Sequence, residues 1–187
     1  KDNEAYWDGS VPWISPKDMK QFVLWDSIDH ISELALAETA LSLHPVNSVL
    51  VVVRGMILAH TFPVALNAVP VTVNQDMKAL RASGRISPQY LAWLLRGLQP
   101  LMLSLTEESA HGTKALRTEK WSNQAVPVPS PDEQARLVAL FDRWSQDTQL
   151  LVENLSQHID RLREYRASLI SAAVTGQLDL NTFKSAA

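Results

Sequence analysis

The chain has 187 residues, 46% of them hydrophobic, no cysteine, and 17 Lys plus Arg against 20 Asp plus Glu, a formal net charge of −3. That composition supports a packed core and excludes a disordered chain, a disulfide framework and a thiolate metal site. No apolar run reaches the roughly 18 residues of a membrane-spanning helix, so no membrane contact is expected. The opening KDNEAYWDGS lacks the apolar core of a signal peptide, and a cytoplasmic location is expected. Because the first residue is Lys, the sequence reads as a piece of a longer chain. Charge is spread evenly, with 11 basic and 12 acidic residues up to Ser130 and 6 and 8 beyond it, so any nucleic-acid surface must be a local patch.

In chain order, VPWIS (11–15) predicts a short strand closed by a turn at Ser15-Pro16. SELALAETALSL (32–43) predicts a helix capped by Ser32 and ended by Pro45. SVLVVVR (48–54), dense in β-branched residues, predicts a buried strand. MILAH (56–60), FPVALN (62–67) and VPVTVN (69–74) predict further short strands, and Asn74 stands where it could cap a helix starting near Asp76. Ser87-Pro88 opens a helix to about Leu98, with continuation past a kink at Pro100 left open. Residues 109–124 predict a polar loop with a short helix from Thr118, and AVPVP (125–129) a terminal strand or an extended segment.

The C-terminal part is the most regular. Ser130-Pro131-Asp132-Glu133 has the form of a capping box with Pro at the first helical position. From Leu137 onward, positions 141, 144, 148, 151, 155, 158, 162, 165 and 169 follow at alternating spacings of four and three. They are Phe141, Trp144, Thr148, Leu151, Leu155, His158, Leu162, Tyr165 and Leu169, a heptad seam with two polar members. Gly176 is a suitable stop. A helix of about 45 residues is roughly 65–70 Å long, and its seam needs a partner helix. The expected fold class is α+β: a globular mixed α/β domain over 1–130, one long coiled-coil-forming helix over 131–176, and a tail over 177–187.

Catalytic signatures are absent. There is no G-x-S-x-G, H-E-x-x-H, P-loop or N-P-P-[FY] sequence, the five histidines lack ligand spacing, and the six glycines stand singly. No catalytic residue, metal or cofactor is expected.

The order of segments resembles a known family. VPVPSPDEQARL (126–137), the heptad helix and LREYRASLISAAVTGQLDL (162–180) look like the conserved region of the specificity subunit of type I restriction–modification systems. YWDGSVPWISPKDM (6–19), NSVLVVVRGMIL (47–58), VNQDMKAL (73–80) and HGTKALRTEKW (111–121) look like one of its target recognition domains. The resemblance covers essentially the whole chain. It implies a non-catalytic protein that reads one half of a split site in double-stranded DNA. The long helix would serve as spacer, and the methyltransferase and restriction subunits would dock on the assembly. Such subunits carry two recognition domains and two antiparallel helices. This chain has one of each, so a second copy or a second half is expected along the seam.

Base edges are read by Arg, Lys, Asn, Gln, Ser and Thr on loops that enter a groove. In the last loop the candidates are Ser109, His111, Gly112, Thr113, Lys114, Arg117 and Lys120, with an ordinary solvated loop as the alternative. Lys17 and Lys20, past the Ser15-Pro16 turn, are candidates for phosphates. Arg54 and His60 are candidates whose alternative is packing at the rim of the core. Asn74 and Gln75 carry amides suited to adenine. Trp7, Trp13, Trp25, Trp93 and Trp121 read as core or rim anchors, with base stacking as the alternative. The candidate helix interface is Leu137, Phe141, Trp144, Leu151, Leu155, His158, Leu162, Tyr165 and Leu169. A coiled-coil adapter that binds no DNA is the competing reading, and the acidic total favours it.

Overall fold

The computed structural model describes residues 3–108 and 112–178. The chain divides into two compact units, Lys1–Val138 and Ala139–Ala187, so the first turns of the long helix belong to the globular unit.

The core is built on the Val-rich segment. β4 (Val49–Val52) is buried at every position, as a strand with apolar side chains on both faces must be. It lies between β6 (Val64–Asn67) and β8 (Met77–Leu80), antiparallel to both, and β2 (Val23–Leu24) extends the sheet in parallel beside β6. A second sheet sets β1 (Trp7–Ile14) between β3 (Asp29–Ile31) and β7 (Thr72–Val73). Trp7 and Val11 both face Ile31 across a bulge in β1. Gly9 sits inside it, where a Cβ would fall 2.3 Å from the Ile31 carbonyl oxygen. A third, small sheet carries β5 (Arg54–Gly55), β10 (Lys114–Ala115) and β9 (Glu107–Glu108), with β10 in the middle.

Helices close the core. α2 (Pro88–Gly97) has Ser87 as its cap, with Ser87 Oγ accepting from the Tyr90 N–H, and α3 (Gln99–Ser104) continues past Pro100. Ala92, Leu95 and Met102 point into the same cluster as β4. α1 (Glu33–Glu38) is capped by Ser32 but ends five residues before Leu43, because Thr39 turns extended and its hydroxyl bonds back to the Ala35 carbonyl. α4 (Thr118–Trp121) is one turn.

Two expectations fail here. Met56–Ala59 is a 3-10 turn and not a strand: Gly55 at φ +140° breaks the extended run, and only Leu58 is buried. Asn74 accepts the Asp76 N–H, but the turn it closes leads into β8 and not into a helix. The Met77 side chain is needed in the core, and tertiary burial overrides the local capping signal. Residues 125–129 are extended without joining a sheet. Among the described residues no helix is long and apolar enough to cross a membrane.

α5 (Pro131–Val174) is one continuous helix of 44 residues, about 66 Å at 1.5 Å per residue. The Glu133 N–H donates to Ser130 Oγ, as the cap requires. At the far end Gly176 takes φ +72° and the Gln177 N–H reaches the Ala172 carbonyl, a left-handed stop that satisfies the final turn. The first turn is secured by Gln134, which is 2% exposed. Its Oε1 accepts the Ser87 N–H at 2.8 Å, and its Nε2 donates to the carbonyls of Arg85 at 2.6 Å and Pro129 at 2.9 Å. The Tyr90 hydroxyl adds a bond to the Pro127 carbonyl.

Replacing Gln134 by Leu strips the partners from the Ser87 N–H and the two carbonyls while keeping the apolar volume. The expected loss is about 2–4 kcal/mol, since an unsatisfied buried polar group costs about 1–3 kcal/mol. Urea unfolding followed by tryptophan fluorescence measures it. A stability unchanged within about 0.5 kcal/mol would show that the amide is dispensable.

Candidate nucleic-acid interface

The small third sheet gathers most of the sequence candidates. β10 pairs with β5 in the register Lys114 to Gly55 and Ala115 to Arg54, and with β9 in the register Lys114 to Glu108 and Ala115 to Glu107. Alternation across a strand then puts Arg54 and Glu107 on one face and Lys114 and Glu108 on the other. The Leu116 N–H donates to the Val53 carbonyl at 2.8 Å, and buried Leu116 anchors the sheet to the core. The Asn74–Gln75–Asp76 turn lies beside β5, because the Asp76 carbonyl accepts the N–H groups of Val53 and Arg54. Arg54, Asn74, Gln75, Gly112, Thr113, Lys114, Arg117 and Lys120, scattered over sixty residues, thus form one neighbourhood.

Carboxylates already occupy its cations. Arg54 Nε contacts Asp76 at 2.5 Å, Lys114 contacts Glu108 at 3.1 Å, and Arg117 and Lys120 share Glu107 at 2.7 and 2.8 Å. The Lys120 hydrogen bond, and then its charge, hold the Glu107 carboxyl below its ordinary value, with Arg117 contributing less. The partners Asp76, Glu107 and Glu108 were missed in the sequence. The acidic pair just before the basic loop is the signal that could have found two of them. Gly112, at φ +76°, holds a backbone conformation that side chains resist.

Other candidates lie elsewhere or stand alone. Arg54 and His60 are exposed. His60 follows the 3-10 turn after β5, and its N–H bonds the Ile57 carbonyl. Lys17 pairs with Asp29 beside β3, whereas exposed Lys20 has no ion pair among the described residues. Ser109 and His111 lie outside the described residues. Among the tryptophans, Trp7 and Trp13 meet edge to face at 5.2 Å, Trp93 meets Phe22 at a tilt of 35°, and Trp121 packs against the core. Trp25 departs from the anchor reading, because it is 69% exposed on the loop after β2. No cluster of metal-ligating side chains occurs among the described residues.

Along α5 the seam positions Trp144, Leu151, Leu155, His158, Leu162 and Tyr165 are exposed, and Leu137, Phe141 and Leu169 are half-buried. The apolar surface is wider than the seam, since Leu150, Val152, Ile159, Ile170 and Val174 are exposed as well.

A mixed α/β domain with a small charged sheet, leading into a long helix with a bare apolar row, fits the resemblance that the order of sequence segments suggested. Residues 1–161 match the family described as the type I restriction modification DNA specificity domain. The chain is 34% identical over 167 residues to the EcoR124I/EcoR124II specificity subunit of Escherichia coli, covering 88% of this chain and 41% of that protein. It is 25% identical over 170 residues to the MjaIX specificity subunit of Methanocaldococcus jannaschii, covering 89% and 37%. Among solved structures, a type I restriction–modification assembly superposes with a TM-score of 0.73 at 16% identity, over 92% of this chain and 41% of that one. The HsdS subunit of Thermoanaerobacter tengcongensis gives 0.56 at 18% identity, over 81% and 34%.

The chain belongs to the type I restriction–modification DNA specificity domain family. It spans about two-fifths of the length of those two specificity subunits.

Carboxyl-detected NMR titration should place Glu107 below its ordinary value of 4.5. Lys120→Ala should move the midpoint back up further than Arg117→Ala does. Equal shifts would mean that the two cations share the carboxylate evenly.

Proposed function

We propose that this chain reads one half of a bipartite sequence in double-stranded DNA without itself performing chemistry. The long helix then sets the distance to a second reader, and the methyltransferase and restriction subunits dock on the pair. The match of residues 1–161 to the DNA specificity domain family carries this reading. Two features support it. Arg, Lys, Asn and Gln side chains suited to base edges and phosphates converge on the small sheet although they are far apart in the chain. α5 also bears an uncovered heptad row, as a helix awaiting a partner does.

The alternative of an adapter that binds no DNA draws on one observation: the cations of the small sheet are already neutralised by carboxylates. Duplex binding followed by fluorescence anisotropy across salt concentrations separates the two, since a DNA reader shows a steep dependence and an adapter a flat one. Lys114→Ala should weaken all sequences evenly and reduce the salt slope by about one, as loss of a phosphate contact does. Arg117→Ala should cost about 1–3 kcal/mol on the preferred sequence and relax preference at one base pair. Unchanged binding and preference in both variants would remove the small sheet from the reading surface.

The seam predicts self-association, with two antiparallel helices placing the readers at opposite ends. Light scattering at micromolar concentration should give a dimer, and the double variant Leu155→Glu, Leu162→Glu a monomer. A monomeric parent chain would leave only the second half of a longer subunit as the partner.

A further inference from the structure

The cations of the small sheet are matched by acids, but Lys20 and Arg96 have no ion pair among the described residues. Both line one cavity of about 430 Å³, and no Asp or Glu lines it. The residues around them make the cavity a receptor for hydrogen-bond acceptors. The Arg96 guanidinium lies 5.3 Å from the centre of the Phe22 ring and 5.2 Å from that of Trp93, two rings whose centres are 4.4 Å apart at a tilt of 35°. The two rings attract the guanidinium by cation–π contact, which still allows its N–H groups to donate to an acceptor. On another wall, Gln99 Oε1 accepts the Thr61 hydroxyl at 2.8 Å and the Phe62 N–H at 3.0 Å. That amide is thereby held, and its Nε2 donates to no acceptor among the described residues. Two cations and a held amide lining one space with no carboxylate suit a tetrahedral oxyanion, which accepts from several donors at once.

We propose that this cavity is a phosphate site, filled by one backbone phosphodiester of the bound duplex, with Arg96 and Lys20 as positioning residues that set the domain's register on DNA. The site rests on the DNA-reading function proposed above. A contact of this kind adds affinity without sequence information. Free nucleotide phosphate is the other source of the same chemistry.

The test uses the full chain and the variants Arg96→Gln, Arg96→Lys and Lys20→Gln. Anisotropy against duplex DNA should show the salt slope reduced by about one in R96Q and in K20Q, with affinity falling several-fold evenly across sequences and preference unchanged. R96K should recover the slope, because it keeps the charge. Lys20 is exposed and takes no part in the cation–π contact, so K20Q tests the site even where loss of Arg96 disturbs folding. The Arg96 Nε–H resonance, identified by its loss in R96Q, should move when duplex is added. Parent-like slopes in both charge-removing variants, on a parent chain that does bind duplex, would overturn the phosphate site and leave the DNA reading intact. If the parent chain binds no duplex, the DNA reading falls. In that case, movement of the Arg96 signal with inorganic phosphate keeps the anion site as a receptor for free phosphate, and a still signal overturns it too.

Discussion

A single buried amide fixes the first turn of the long helix within the globular unit. Gln134 sits at the fourth position of a 44-residue helix and spends its side chain on three backbone groups, of Arg85, Ser87 and Pro129. An apolar residue there could fill the volume but would give no direction, because hydrophobic burial is non-directional. Three hydrogen bonds to three separate backbone groups are satisfied in one placement of the first turn only. The prolines upstream act in the same sense. Pro127, Pro129 and Pro131 have no N–H to donate and restrict φ, so the segment neither joins a sheet nor coils before the cap. The start of the helix is thus held in two ways, one entropic and one polar, and both act within the globular unit.

The long helix and the β4 strand were legible because each is specified locally. Ser130, Pro131 and Glu133 mark the start, the four-three spacing runs on without a break, and Val49–Val52 reads as buried on both faces. The 3-10 turn at Met56–Ala59 was not legible, because a run of apolar residues looks the same in a strand and in a tight turn. What decides it is Gly55, whose positive φ ends the ladder. Asn74 shows the converse error: its capping chemistry is real, since it accepts the Asp76 N–H, but whether a helix or a strand follows depends on where Met77 must be buried. Helix α1 stopped early for a similar reason, with Thr39 turning extended and its hydroxyl donating to the Ala35 carbonyl instead of extending the turn.

The candidate surface was half legible. Residue types chosen for their ability to touch DNA do converge on the third sheet, although Arg54 and Lys114 are sixty residues apart. Their carboxylate partners were not foreseen, because ion pairing across strands depends on register, and register depends on the hydrogen bonds of short strands with little pattern of their own. The exposed Trp25 was misplaced by composition: a tryptophan is buried on average, and nothing in VLWDSI shows that this one is not.

The pairing of those cations bears on how a protein of net charge −3 can meet a polyanion. A lysine or arginine already held by Glu107, Glu108 or Asp76 contributes little to long-range attraction, because its field is cancelled at short distance. Exchanging the carboxylate for a phosphate swaps one anion for another, so the gain is small unless the new geometry also satisfies the hydrogen bonds that were broken. On the proposed reading, non-specific affinity is therefore kept low and correct fit is rewarded, which favours discrimination over strength, and a single reader built this way binds weakly. Linking it to a second reader turns the second encounter into an intramolecular one, and the combined affinity exceeds that of either alone without a new contact. On the proposed reading, the bare apolar row of α5 and the neutralised cations of the small sheet are two consequences of one requirement: each half binds duplex alone, but the pair is needed for tight binding.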